Sequence, residues 1–345
     1  MKPTLPAEAA EAARVGNIDE LRAHLASARA IVRARNPEGE TLLHIAVKAE
    51  HPNVAMLLLE AGADINARTP REEMQVEFTG RLVHGGLTPL RLAVEAGNDD
   101  LVAVLIKAGA KVTARDAGGA APFERAVSLG FLKIAERLLD AGARVNEPGS
   151  DRRTPLFGAI EAKRIESVQW LIDRGADVNA TAEDGSTPLD RTIFGDQRDV
   201  ARLLLARGAD PNVVDGAGRP PLHKAAYAWR QGVMRALLAA GVKAMVRDRA
   251  GQTALHLATG DASCVELLLE VGADPNASGA GGRTPMHEAA YLGTPETLTL
   301  LHRAGGKLDG LDAAGSTPLD YAVRFKRAEN EAWLRSWGLP ASDPN

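Results

Sequence analysis

The sequence predicts an all-α fold in which short helix pairs stack in one direction, and three observations carry that reading. A Thr-Pro-Leu-His pattern recurs with its first position at Thr41, Thr88, Ala121, Thr154, Thr187, Pro220, Thr253, Thr284 and Thr317, in steps of 47, 33, 33, 33, 33, 33, 31 and 33 residues. A Gly-Ala-Asp pattern keeps the same beat, with its glycine at Gly62, Gly109, Gly142, Gly175, Gly208, Gly241, Gly272, Gly305 and Gly338. Two independent markers held in register along the chain are the signature of a repeat architecture. Composition agrees: aromatics make up 4% of the 345 residues, and alanine, leucine and glycine do the filling, which suits closely packed short helices. A chain of this length otherwise divides into two or three compact domains, unless it grows as an array.

One unit, STPLDRTIFGDQRDVARLLLARGADPNVVDGAG, shows why each element forms. Ser186 or Thr187 caps a helix whose first turn holds Pro188, where a missing N–H costs nothing. Leu189 and Ile193 share one face of that helix. A Gly-Asp turn follows, then a second helix with Val200, Leu203 and Leu204 facing inward. Gly208 supplies the left-handed residue that ends it, and Asp-Gly-x-Gly makes a tight turn into the next unit. A single pair has too little core to stand alone, so neighbours must stack.

These motifs, TPLH followed by AA and then GADxN, resemble the ankyrin-repeat family, and the resemblance covers nearly everything from residue 5 to 340. It implies a curved solenoid of antiparallel helix pairs with hairpin fingers along one edge. The fingers and the first helix of each pair form its concave face. The whole chain, 1–345, then reads as a single repeat domain. Residues 5–36 form an N-terminal cap that lacks TPLH, 37–312 hold the repeats, and 313–345 form a C-terminal cap with a weakened second-helix pattern. That makes nine full or near-full repeats and one degenerate one. Two departures stand out. The 47-residue step carries an insertion at 70–85 in which Met74, Val76 and Phe78 alternate with polar residues before Thr79-Gly80, the pattern of a long β-hairpin. The 31-residue step shortens the first helix or its turn in the unit holding LHLATGDASCVELL, and is expected to leave a notch.

Catalytic and metal chemistry finds no foothold. His44, His223, His256 and His287 sit on separate stacked helices roughly 10 Å apart, whereas zinc ligands meet the metal at about 2 Å. The resemblance implies instead a structural role, each imidazole bonding the backbone of a neighbouring repeat. Asp190 and Asp320 stand in the same place and can bond backbone N–H groups. No P-loop, HExxH or GxSxG arrangement is present, and SGAGGRT at 278–284 reads as a loose turn. The chain is therefore expected to be neither an enzyme nor a cofactor binder. A net charge of −4 argues against nucleic acid and anionic membrane as partners. The N-terminus does not read as a secretory signal, and no apolar run is long enough to span a bilayer. The one cysteine, Cys264, reads as a small buried residue in a reducing, cytoplasmic compartment. The alanine- and arginine-rich composition points to a GC-rich bacterium.

What remains is surface. The resemblance implies that the residue after AA faces the concave side: Lys48, Glu95, Ser128, Glu161, Phe194, Tyr227, Gly260, Tyr291 and Arg324. The first four are polar, whereas Phe194, Tyr227 and Tyr291 are aromatics in a chain poor in them, and Trp229 follows two residues after Tyr227. Such rings dominate binding energies when exposed; otherwise they fill gaps between helices. The residue before Thr-Pro is a second contact position and brings Arg153, Arg219 and Arg283, with Arg152 and Arg249 nearby. These either reach an acidic segment of a partner or are solvated turn charges balanced by Asp184, Asp215 and Asp248. Val76 and Phe78 of the hairpin either touch a partner or cover the adjacent finger. The leading reading is a monomeric protein-binding scaffold or adaptor. The alternatives are a small-ligand site in a cleft walled by Tyr227, Trp229 and Tyr291, and a bacterial effector directed at a host.

Overall fold

The computed structural model describes residues 4–76, 80–149 and 151–338, with backbone only for 72–76 and 80–84. It divides into two compact units, residues 1–177 and 178–345. In the first unit five helix pairs follow one another: α1 (Ala7–Val15) and α2 (Ile18–Ser27), α3 (Leu42–Lys48) and α4 (Pro52–Glu60), α5 (Pro89–Glu95) and α6 (Asp99–Lys107), α7 (Pro122–Leu129) and α8 (Leu132–Asp140), α9 (Pro155–Glu161) and α10 (Ile165–Asp173). Between α4 and α5 the insertion forms strands β1 (Arg71–Val76) and β2 (Gly80–Gly85), paired antiparallel from Arg71 opposite Gly85 to Val76 opposite Gly80. The second unit holds α11 (Pro188–Phe194) and α12 (Arg198–Ala206), α13 (Pro221–Tyr227) and α14 (Gln231–Ala239), α15 (Ala254–Ala258) and α16 (Ala262–Glu270), α17 (Pro285–Leu292) and α18 (Pro295–Arg303), α19 (Pro318–Arg324) and α20 (Ala328–Arg335). Within each unit the first helices pack on first helices, and second helices on second helices. Among the described residues no helix is long and apolar enough to cross a membrane.

Local chemistry places each element. Thr41, Thr88, Thr187 and Thr317 cap their helices by accepting the N–H three residues on, and proline opens the first turn of most first helices, where it costs no hydrogen bond. Leu189, Ile193, Val200 and Leu204 are buried. Gly208 has φ +87° and closes α12. Each finger is a tight turn: Asp215 N–H donates to the Arg219 carbonyl at 3.2 Å and Gly218 N–H to the Asp215 carbonyl at 2.9 Å. Strand pairing beyond such closures occurs, among the described residues, in the inserted hairpin and in a single bridge between Thr4 and Arg35. At the far end α20 buries only Asn330 and Leu334, a thin apolar face.

Most neighbouring pairs are joined at the fourth position of the TPLH pattern; where that position is Phe157, the side chain is buried apolar core instead. The Nε2 atoms of His44, His223, His256 and His287 lie 3.1, 3.1, 3.2 and 3.1 Å from the carbonyl oxygens of Leu87, Gln252, Arg283 and Ser316. A carbonyl can only accept, so Nε2 carries the proton. Nδ1 then accepts the backbone N–H of Thr41, Thr253 and Thr284 at 3.2, 3.1 and 3.1 Å. Pro220 has no N–H to offer, and His223 Nδ1 is buried without a partner. Where the residue changes, the joint is rebuilt. Asp190 accepts from Thr187 N–H at 3.0 Å and from Lys224 Nζ at 2.8 Å; Asp320 accepts from Thr317 N–H at 2.6 Å. Arg91, also at this position, donates to Asp116 of the next finger at 3.1 Å.

A second ladder runs through the asparagine of GADxN. Asn146 Nδ2 donates to the Gly175 carbonyl at 2.9 Å while its Oδ1 accepts Asp177 N–H at 2.9 Å. In the second unit Asn179 spans Gly208 and Asp210 in the same way, and Asn276 spans Gly305 and Lys307. Met245 stands in this place in one repeat, and its sulfur accepts Asp274 N–H at 3.3 Å.

Burial lowers the pKa of all four joint histidines, that of His256 to about 4. Because the unfolded chain takes up the proton first, near pH 6.5, the stability linked to His256 is complete above that pH and drains away as pH falls toward 4. Its share is about 3 kcal/mol from the 2.5-unit gap. Hydrogen bonds from Arg137 hold Asp99, and bonds from Ser186 hold Asp184, near a pKa of about 2, so these carboxylates titrate below that window. Thermal unfolding is expected to show a melting temperature that drops between pH 6.5 and 4, with a shallower drop in His256→Gln.

Candidate protein-binding surface

The first helices are seven residues long in most pairs, and their length decides what reaches solvent. In α11 the first six residues, Pro188 to Ile193, are buried, so the seventh, Phe194, emerges past the core and is 74% exposed. Tyr227, at the same place in α13, is 65% exposed. These two rings meet the description of free aromatic surface.

An eight-residue link ties this position to the finger that precedes it. In the first unit it is an ion pair: Lys48 with Glu40 at 2.8 Å, and Arg153 with Glu161 at 3.1 Å. Glu95, at the same helix position, is held by Arg91 at 2.9 Å and Arg125 at 3.4 Å, and Ser128 Oγ donates to the Glu124 carbonyl. The first unit thus spends this row on itself. In the second unit the link becomes cation–π: the Arg219 guanidinium lies 6.0 Å from the Tyr227 ring centre and is held from behind by Asp215 at 3.1 Å. Beside Phe194 the cation is Arg191, 5.6 Å from the ring. Its Nη2 donates to Asp184 and Ser186 at 2.7 Å each. Each pair offers a ring and a guanidinium already oriented.

Tyr291 is placed differently. It is half-buried, with its ring centre 4.3 Å from that of Phe325, and its carbonyl accepts from Arg327 Nε at 2.6 Å. Phe325 in turn approaches Tyr321, which packs edge-on against His287. Tyr291 therefore belongs to an aromatic layer between α17 and α19, and the partly exposed Phe325 is its outer member. Arg324 is exposed and lies 5.6 Å from the Tyr321 ring. Arg283 is paired with the buried Glu288 at 3.2 Å, and its carbonyl receives the His256 joint. Arg249 donates to the Gly216 carbonyl of the neighbouring finger, and Arg152 occupies a left-handed turn with φ +62°. Val76 lies at the end of β1, and Phe78 falls outside the described residues.

The expected notch is the point at which structure and expectation part. The 31-residue step does shorten α15 to five residues, but the space is occupied. Trp229 sits in the turn after α13 with φ +55°, a strained conformation for a bulky residue, and lays its indole on Gly260. A Cβ placed on Gly260 would come within 2.4 Å of Trp229 Cζ2. The cleft envisaged between Tyr227, Trp229 and Tyr291 is thus partly filled by Trp229 itself, while 52% of that residue stays exposed.

Comparison with known proteins places this architecture. The model described as Ankyrin repeats (3 copies) matches residues 72–148, 123–215, 191–279 and 260–338, and that described as Ankyrin repeat matches 38–70. Cyclin-dependent kinase 4 inhibitor B of Bos taurus is 45% identical over 78 residues, 22% of this chain and 60% of the relative. Protein PhlB of Serratia liquefaciens is 41% identical over 66 residues, 19% of this chain and 29% of the relative. The chain thus spans 60% or less of the length of these two curated relatives. The human ASB11 ankyrin repeat domain superposes with a TM-score of 0.57 at 27% identity, over 65% of this chain and all of that one.

The contact between Trp229 and Gly260 makes a double-mutant test direct. Gly260→Ala is expected to lower stability by about 1–3 kcal/mol through overpacking. Combining it with Trp229→Ala should recover most of that loss, because the two side chains compete for one space. Thermal unfolding of the two single variants and the double reads the coupling; additive losses would mean the indole has another resting place.

Proposed function

As the chain belongs to the ankyrin-repeat family, we propose that it is a non-enzymatic scaffold or adaptor that docks a partner protein on the first-helix ends and fingers of residues 178–345. The observation that supports this reading is the pair of aromatic residues most exposed among the described residues, Phe194 and Tyr227, each flanked by an oriented guanidinium. Aromatic and arginine side chains dominate measured binding energies, and rings with only two side-chain torsions lose little entropy on docking. Arg324 extends the row. It has no carboxylate partner among the described residues, so a carboxylate of the partner can take its fork. The partner segment we propose is accordingly apolar with acidic flanks. Tyr291, Trp229, Arg153 and Arg283 contribute mainly by holding the scaffold in shape, since each is already engaged within the chain.

The relatives named as cyclin-dependent kinase inhibitors lend the mode of action: holding another protein by surface. The kinase itself does not carry over on so short a match. Burial pushes the Cys264 thiol up to about 12, so it is an inert thiol, compatible with the cytoplasmic, monomeric protein we propose.

The test is a pair of variants at positions outside the core. Phe194→Ala with Tyr227→Ala should weaken partner binding by about ten- to a hundredfold and leave the melting temperature nearly unchanged. Affinity capture with wild type and double variant in parallel identifies the partner as the protein lost from the variant. If both capture the same proteins equally, the surface has been misplaced.

A further inference from the structure

The N-terminal part of the chain carries a feature that the partner surface does not use. Between Glu20 and Glu38 lie Arg22, His24, Arg29, Arg33 and Arg35, and no acid, in a protein whose net charge is −4. Three of these arginines line one cavity. It has a volume of 810 Å³, and its walls are Arg29, Arg33, Arg35, Val32 and the Ala61–Gly62 turn after α4. No carboxylate lines it.

The three cations are not equivalent. Arg35 is fixed at both ends. Its carbonyl accepts Leu5 N–H at 3.1 Å, and its Nη1 donates to the Arg68 carbonyl at 2.8 Å and to the Gly39 carbonyl. Arg115 and Arg247 brace their own fingers through carbonyls in the same fashion, so this part of the arrangement serves the fold. Arg29 and Arg33 have no such duty. They sit at the two ends of one 3₁₀ turn, Arg29–Arg33, and their side chains make no hydrogen bond or ion pair with the described residues. Like charges gathered at a concave site with nothing opposite them repel one another, and a site of this kind lowers its energy by taking up a polyanion.

We propose that this cavity binds a small phosphorylated ligand, with Arg29 and Arg33 as the forks that grip it and Arg35 as a fixed third cation. The volume lies within the range of small-molecule sites, and the two free guanidiniums stand on a single five-residue turn, a compact pairing that matches one phosphorylated group. Phosphate is the anion whose several oxygens can meet more than one guanidinium at once. The site lies in residues 1–177 and shares no residue with the proposed partner surface, so its test is independent of that surface.

Calorimetric titration of the full chain with inorganic pyrophosphate is expected to give saturable binding near one per chain. Arg29→Gln with Arg33→Gln should weaken it by about tenfold or more, while Arg22→Gln, outside the cavity, leaves it unchanged; melting curves verify that all variants fold. Sedimentation with phosphatidylcholine vesicles containing a phosphorylated inositol lipid separates the sources. Co-sedimentation abolished by the double variant marks a headgroup ligand, and pyrophosphate binding without co-sedimentation marks a soluble one; either outcome upholds the site. No saturable heat at millimolar pyrophosphate, undiminished binding in the double variant, or tighter binding of a hexaglutamate peptide than of pyrophosphate would overturn it.

Discussion

The stacking of most of these helix pairs depends on one repeated joint: a polar side chain at the start of a first helix reaches across to the next pair, at His44, His223, His256 and His287 to its finger. A helix pair of some thirty residues cannot bury enough apolar surface to order itself, so the contact between pairs is where the fold is decided. The imidazole suits that task because its two nitrogens point in opposite directions. One accepts from the cap of its own helix, and the other donates to the carbonyl just before the next Thr-Pro. Being buried, both bonds are worth more than they would be in water, and leaving either unmade is costly. The joint also sets the fingers' spacing, and the rings and cations of the proposed surface ride on those fingers.

The joint accepts substitutes of very different charge, which shows what it requires. Asp190 cannot donate, so the link across the interface is supplied from the other side by Lys224. Arg91 cannot accept, and pairs with the aspartate that shapes the next finger. His223 keeps its outward bond but faces a proline behind it, and one nitrogen is left bare. A link to the next pair survives at Asp190, Arg91 and His223, and at His223 it survives without the bond from its own helix cap.

Much of this was legible in the sequence, for a physical reason: a repeat writes the same local solution many times, so spacing alone reveals caps, turns and helix faces. The joint histidines, the insertion and the exposed position of Phe194 and Tyr227 all follow from register. Register fails where the outcome depends on what a neighbouring repeat contributes. Tyr291 shares the register of Tyr227, but Phe325 from the following pair covers it. The finger arginines look alike in sequence, yet Arg153 meets Glu161, Arg283 meets Glu288 and Arg219 meets a ring. The eight-residue link was present in the sequence as a pairing of signs, Glu40 with Lys48 and Arg153 with Glu161, and could have been found by comparing the two columns.

The tryptophan resting on Gly260 has a historical implication. An indole in that turn and a side chain at 260 cannot occupy the same space, so the order in which they arose was constrained. A lineage that gained the tryptophan while a larger residue stood at 260 would have passed through a crowded, weakened intermediate. One that first acquired the glycine would have found the tryptophan admissible. Once both were in place, a larger residue could return at 260 only after the tryptophan had been lost.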